Sequence, residues 1–187
     1  PYASNLKLQD VLMGKVFRSS APHARIVGLD VSAAEQLPGV AAIVTAADFD
    51  ARDTPNLYFG STIQDQPIVA KDVVRFIGEP VALIAAESSA IADQAMDLIE
   101  LEYEELPAIF DAEEAMLSDA PLLHDAFPNN VMCHAKLRHG DLEAGFGVAD
   151  EVIEEVFSSP VAQQASLETQ VAAAQWQDHK LTVWTAS

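Results

Sequence analysis

Val73-Val74-Arg75-Phe76-Ile77-Gly78-Glu79-Pro80-Val81-Ala82-Leu83-Ile84-Ala85-Ala86 opens the run that decides the fold. It continues through Ser88-Ser89, Ile91-Ala92 and Ala95-Met96 to Ile99-Glu100-Leu101-Glu102-Tyr103-Glu104. Val73 to Ile77 reads as a strand, Gly78-Glu79-Pro80 as a tight turn, and Val81 to Ala86 as a nearly all-apolar strand. Ser88 or Ser89 supplies a side-chain oxygen for the free amides at a helix start. Ile91, Ala92, Ala95, Met96 and Ile99 then fall at helical spacing in one apolar stripe, so this helix packs on the sheet. The period next drops to two: Ile99, Leu101 and Tyr103 alternate with Glu100, Glu102 and Glu104, the mark of a strand with one wet face. Two strands around a turn, a packed helix and a further strand in one run predict an α+β domain.

Working outward toward the N-terminus, Leu12 to Ser19 and Arg25 to Val31 read as two strands around a turn at Pro22. Ser32 stands three residues before Glu35, a capping-box pattern for a short helix that Pro38-Gly39 ends. Val40 to Thr45 resumes as a buried strand. Asp48 to Asp65 carries Asp, Pro, Asn, Gly and Thr without sustained periodicity and is expected to be a long surface loop. Toward the C-terminus, Leu106-Pro107 closes the acidic strand, and Ala112 to Met116 supports a short helix. The Pro-, Asn- and His-containing stretch from Ser118 to Asn130 reads as a connector between domains. Val131 to Leu137 and Val152 to Phe157 are expected to be strands of a second unit, joined through Gly140-Asp141 and a short helix ending near Val148. Val171 to Trp176 and Leu181 to Thr185 form a hairpin about Asp178-His179.

Composition narrows the function classes. Half of the 187 residues are hydrophobic and mean hydropathy is +0.12, which places the chain among globular proteins rather than disordered ones. Ten basic residues against 29 acidic ones leave a net charge of −19. That charge repels phosphate backbones and anionic lipid headgroups, so nucleic acid and membrane surfaces are poor partners. The apolar runs fall far short of the roughly 20 residues that span a bilayer. Cys133 is the single cysteine, so no intramolecular disulfide forms, and a cytoplasmic location is the simpler expectation. Because the first residue is Pro1 and the strand Leu181 to Thr185 stops two residues from the last, the chain is expected to be a portion of a longer polypeptide.

Several motifs agree in order and spacing. Arg18-Ser19-Ser20-Ala21-Pro22-His23-Ala24-Arg25-Ile26 resembles the R-S-P-x-x-H-A-R-I signature that opens the large subunit of the molybdenum hydroxylases, the xanthine dehydrogenase and aldehyde oxidase family. Leu37-Pro38-Gly39-Val40, Asp65-Gln66-Pro67-Ile68 and Val74 to Ala82 follow, the last similar to that family's V-R-F-V-G-E-P-V-A. Ile99 to Pro107 resembles its I-E-V-E-Y-E-E-L-P. Gly140-Asp141-Leu142-Glu143 with Phe146 and Ala149-Asp150 is similar to its G-D-x-x-x-x-F-x-x-A-D, and Gln163 to Gln170 looks like its L-E-T-Q segment. Any one of these is weak; together they cover nearly the whole chain.

The resemblance implies residues 1–115 as an α/β hammerhead domain of mixed strands with packed helices. It implies residues 116–187 as a connector and the opening strands of the molybdopterin-binding domain. In the complete enzyme, a molybdenum-molybdopterin centre hydroxylates a purine, aldehyde or N-heterocycle with water-derived oxygen. Electrons leave through iron–sulfur clusters and FAD on other segments or subunits. The expected partners are therefore the remainder of the molybdopterin subunit, the iron–sulfur and FAD subunits or domains, and a small-molecule substrate. By the same resemblance, the family's pocket glutamine, its G-G-F-G loop and its base glutamate lie beyond Ser187, so no catalytic residue is expected in this chain and it is expected to be inactive and to bind no cofactor alone. Many relatives carry histidine at or beside Gln164 and proline at Thr169; these departures leave the substrate unassigned.

The residues themselves nominate little chemistry. No cysteine cluster for an iron–sulfur centre and no G-x-G-x-x-G turn is present. Base-assisted attack of a metal-bound oxygen needs a carboxylate with a tuned pKa near the metal. Glu100, Glu102, Glu104 and Glu105 instead read as a solvated strand face. Glu168 lies in an otherwise apolar segment. With Gln164 it is the candidate pocket-near position, against the alternative of a paired structural acid. Cys133, His134, His139 and Asp141 match no standard zinc spacing. His23 beside Pro22 reads as a turn-supporting hydrogen bonder, and Gly78-Glu79-Pro80 as a plain turn, though Glu79 could face a partner domain. Two non-enzymatic readings stand beside the family. One is a stand-alone acidic protein-interaction module on a hammerhead scaffold. The other is a biotin or lipoyl carrier, which would need a lysine on an exposed turn, whereas Lys15 follows Met13-Gly14 within a strand.

Overall fold

In the computed structural model, which describes residues 5–6, 8–51, 58–60 and 63–186, the all-apolar run becomes the central strand of a sheet. This strand, β7 (Pro80–Ala86), lies between β1 (Met13–Arg18) and β3 (Val40–Val44), antiparallel to both. A strand flanked on both edges gains most from apolar side chains, and Val81, Ala82, Ile84 and Ala86 are all buried. Helix α3 (Ser89–Asp97) and the single turn α1 (Ser32–Glu35) cover this sheet. Ala34, Ile43, Ala82, Ile84, Ala86, Ala92, Ala95 and Ile99 make one core. Ser88 caps α3 by accepting from the Ile91 amide at 3.3 Å, as its position before the apolar stripe predicts.

A second antiparallel sheet has β2 (Ala24–Asp30) between β6 (Val73–Val74) and β8 (Glu100–Glu105). The alternation in β8 does what its period requires: Leu101 and Tyr103 pack toward Ala24, Val74 and Val81 while the glutamates stay exposed. Phe17 and Leu29 touch this cluster and the first one, so the two sheets share a single interior. The strand pairings described here are all antiparallel, and the fold class is α+β.

Contacts divide the chain into two compact units, one formed by Asp10–His134 and the other mainly by Ala135–Ser187. The second contains α5 (Leu142–Gly147), capped by Asp141 through the Ala144 amide at 3.0 Å. It also holds the expected hairpin, β9 (Ala172–Gln177) with β10 (Lys180–Thr185). Asp178 and His179 both have positive φ, 50° and 63°. That is the twist a two-residue hairpin turn demands, met here without glycine.

Several local expectations are corrected. Ser32 does not cap α1: its amide and hydroxyl both donate to Asp30 Oδ1, at 2.9 and 2.6 Å. The carboxylate is the stronger acceptor and takes the hydroxyl away from the helix amides. Reach-back of the capping-box kind appears instead at α2 (Ala46–Ala51), where Asp48 Oδ2 accepts from the Thr45 amide at 2.7 Å and its hydroxyl at 3.2 Å. Part of the expected loop from Asp48 to Asp65 is therefore helix. Another part is the short pair β4 (Tyr58–Phe59) with β5 (Gln66–Pro67); residues 52–57 and 61–62 lie outside the described residues. The strand expected over Val73 to Ile77 stops at Val74, because Arg75 to Gly78 turn to meet Glu79. Val131 to Leu137 and Val152 to Phe157 are not strands. No neighbouring strand takes up their backbone groups among the described residues, and Leu137, Val156 and Phe157 are at least 90% exposed.

Candidate functional site

The two motifs that stand 57 residues apart in sequence, at Arg18 and Arg75, meet in space within the first unit. A register shift at Phe17/Arg18 ends β1 and turns Ser19 inward. Ser19 is almost fully buried. Its amide donates to Glu79 O at 2.9 Å and its carbonyl accepts from Gly78 N at 2.8 Å. Its hydroxyl is shared between the Ala21 backbone and the Tyr103 hydroxyl, each at 3.0 Å. Arg18 Nη1 donates to Gly78 O at 2.8 Å. Gly78 has φ +91°, a conformation that side-chain-bearing residues rarely adopt, which is why glycine precedes the glutamate.

Glu79 is 2% exposed. Its carboxylate accepts from the Arg75 amide, and the Phe76 amide also bonds to it. Burial pushes its carboxyl above the usual range, opposed by those two amides and by the Arg75 charge. The glutamate thus ties down the loop that leads into the turn.

That loop borders two cavities. The larger, about 510 Å³, is lined mostly by apolar groups, including Pro22, Phe76, Ile77, Ile109 and Phe110, with His23 and Arg75 at its wall. His23 is buried, and its Nδ1 bonds to Pro107 O at 2.6 Å while its carbonyl accepts from Leu106 N at 3.0 Å. Since a carbonyl can only accept, Nδ1 carries the proton. The smaller cavity, about 280 Å³, brings Glu79 and Arg75 beside Asp65 and His124. Burial, and then the Arg75 charge, hold the His124 imidazole below its usual pKa, against Asp65 and Asp125. Its ring meets Phe127 edge-on at 5.9 Å.

Chemically, this arrangement fixes backbone rather than activating a reactant. Neither cavity pairs a nucleophile with a base, and among the described residues no group of three or more His, Cys, Asp or Glu is placed to hold a metal ion. Cys133 is exposed, as are His134, His139 and Asp141. Gln164 is exposed and Glu168 half-buried in an irregular segment of the second unit. Neither lines the cavities above nor the shallow depression of about 420 Å³ beside α5. Lys15 sits mid-strand opposite Ile84 and pairs with Asp93 at 3.0 Å, not on an exposed turn. In sequence, Gly78-Glu79-Pro80 reads as a plain turn, with a partner domain facing Glu79 as the alternative, which misses that Glu79 is buried against its own loop. The available signal was an acid between Ile77 and Val81 in an otherwise apolar run.

Residues 1–107 match the model of the aldehyde oxidase and xanthine dehydrogenase a/b hammerhead domain. The chain belongs to that family. Residues 123–187 match the molybdopterin cofactor-binding domain. Among family members, the chain is 38% identical over 170 residues to a probable xanthine dehydrogenase subunit of Bacillus subtilis, covering 90% of this chain and 22% of that one. It is 38% identical over 158 residues to the nicotinate dehydrogenase large molybdopterin subunit of Eubacterium barkeri, covering 84% of this chain and 36% of the relative. The structure of quinoline 2-oxidoreductase from Pseudomonas putida 86 superposes with a TM-score of 0.85 at 34% identity, covering 100% of this chain and 24% of that one. The chain thus spans between about a fifth and somewhat over a third of the length of these family members.

Proposed function

We propose that this chain is the N-terminal portion of the large subunit of a molybdenum hydroxylase that oxidises a purine, aldehyde or N-heterocycle with water-derived oxygen. The observation that carries this is the tandem order of the two family matches, hammerhead at 1–107 and molybdopterin-binding at 123–187. The division between a hammerhead domain at 1–115 and the start of the cofactor domain at 116–187 falls in the gap between those matches.

Molybdenum-molybdopterin is the cofactor proposed for the complete enzyme, in keeping with the cofactor-domain match at 123–187, and none is proposed to bind to this chain alone. Its holding groups and the catalytic residues belong to the rest of a longer subunit. Iron–sulfur clusters and FAD belong to other segments or subunits. Gln164 and Glu168 remain the candidate pocket-near positions of this chain. The apolar side chains left exposed from Leu137 to Leu167 support this reading, since such a run in a finished fold is covered. No helix among the described residues is long and apolar enough to cross a membrane, and the cytoplasm is the proposed location. No feature of the structure favours a stand-alone interaction module or a carrier.

The test is to express the gene from which this sequence comes, in its natural context with its neighbouring genes, and to measure molybdenum content and oxidation of hypoxanthine, benzaldehyde and nicotinate with a dye acceptor in ¹⁸O-labelled water. Molybdenum bound to the large subunit, with labelled oxygen in a product, is the expected result. A purified complex without molybdenum, or activity in the 187-residue chain alone, would sink the proposal.

A further inference from the structure

The connector after α4 (Ala112–Ala115) has almost no secondary structure or burial to hold it. It carries one short 3-10 turn (Pro128–Asn130), and Leu122 and Leu123 are each 42% exposed. Beside local backbone turns such as Phe127 N to His124 O and Asn130 N to Phe127 O, a set of side-chain hydrogen bonds ties it down. Asn130, at φ 54°, accepts from Leu123 N through Oδ1 at 2.8 Å. Its Nδ2 donates to Ala115 O at 2.9 Å and Pro121 O at 3.0 Å. Arg75 reaches from the other side: its Nε donates to Leu123 O at 3.0 Å. The Arg75 amide is itself held by the buried Glu79 carboxylate. Leu123 is thus gripped at its amide by Asn130 and at its carbonyl by Arg75, and residue 123 is where the cofactor-domain match begins.

We infer that Glu79, Arg75 and Asn130 form a latch that fixes the connector to the hammerhead sheet, with Arg75 and Asn130 acting as positioning residues for the cofactor-binding segment that starts at Leu123. The chemistry suits the task. A guanidinium fork can donate to Leu123 O through Nε and to Val73 O through Nη1 at 3.4 Å, thereby bridging β6 to the connector; an ammonium cannot reproduce that planar pair. An asparagine is the one short side chain that offers an acceptor and two donors together. Local opening of a segment tied in this way is governed by its few hydrogen bonds rather than by burial.

The positioning role rests on the functional reading above, so the experiment uses the complete enzyme and two independent readouts. Hydrogen exchange is followed at the Leu123 amide, and molybdenum content and kcat against KM are measured, for Arg75→Ala, Arg75→Lys, Asn130→Ala and the Arg75→Ala/Asn130→Ala double variant. Asn130→Ala is expected to speed Leu123 exchange by about tenfold or more, and Arg75→Ala by a smaller factor. The double variant should speed exchange more than Asn130→Ala alone but by less than the product of the two single-variant factors, because one segment opens. Arg75→Lys should follow Arg75→Ala, and kcat and molybdenum content should fall with KM little changed. Unchanged exchange in both single variants would overturn the latch. Faster exchange with unaltered kcat and molybdenum content would overturn its positioning role. A parent enzyme without molybdenum would instead overturn the functional reading, leaving exchange to decide the latch.

Discussion

Asp10–His134 and Ala135–Ser187 are both rich in apolar residues, yet among the described residues only the first has a buried core. In the first, Val81, Ile84 and Ile99 find facing strands and a helix within a few dozen residues. In the second, Leu137, Val156, Phe157 and Leu167 are each at least 90% exposed. The hairpin there turns only Val171, Ala173, Thr182, Trp184 and Ala186 partly inward. The difference teaches that hydrophobicity predicts burial only where the chain also supplies the surface to bury against.

The sharpest way to break this comparison is to cut one side chain from each unit of the 187-residue chain. Ile84→Ala removes a side chain that is 2% exposed and is expected to cost about 2–5 kcal/mol in urea unfolding. Phe157→Ala, at a position 90% exposed, should stay within about 0.5 kcal/mol. Equal losses would mean that the second unit has a core of its own. On the proposed function, a longer large subunit would cover Phe157, and the gap measured there should narrow.

Next in size is Glu79→Ala, which strips the acceptor from the Arg75 and Phe76 amides and is expected to cost about 1–3 kcal/mol by the same assay. Glu79→Gln refines this through its pH dependence. The folded carboxyl titrates above its ordinary range, so the unfolded chain releases the proton more readily and the buried charge weighs against folding at neutral pH. Stability of the parent relative to Glu79→Gln should therefore rise as pH falls through the raised value and level off below the ordinary glutamate range. A flat difference across that window would contradict the burial of the charge.

His124 gives a smaller effect of opposite sign. Its folded pKa is depressed, so the unfolded chain binds the proton first, and stability is lost as pH falls from the ordinary imidazole range through the lower folded value. Following unfolding midpoints of the parent and His124→Asn from neutral to mildly acidic pH should show the two diverge, the parent losing more. Smallest of all is the Lys15–Asp93 pair, with side chains 36% and 51% exposed. Lys15→Met should change stability by no more than about 1 kcal/mol, and any loss should fade in salt.

Legibility of the sequence followed the same divide. The helix stripe of α3, the acidic face of β8, the cap at Ser88 and the closing hairpin were all readable, because each is set by residues within one element or its flanks. The Ser32 cap was misassigned because two acceptors compete locally and the carboxylate of Asp30 wins. The strands expected at Val131 to Leu137 and Val152 to Phe157 carried the right residue types but lacked a ladder partner. As for the candidate site, the motifs at Arg18 and Arg75 were visible as family signatures, but their meeting at Glu79 was not.

By itself, then, the sequence determined the α+β class, the strands and helix of the run from Val81 to Glu104, the acidic surface and the family, since periodicity, charge and ordered motifs are written along the chain. Only the tertiary structure decided that Glu79 is buried under Ser19, that Arg75 reaches Leu123, and which apolar residues remain uncovered. These depend on contacts between residues 48 to 60 positions apart, and no local pattern encodes a partner at that distance.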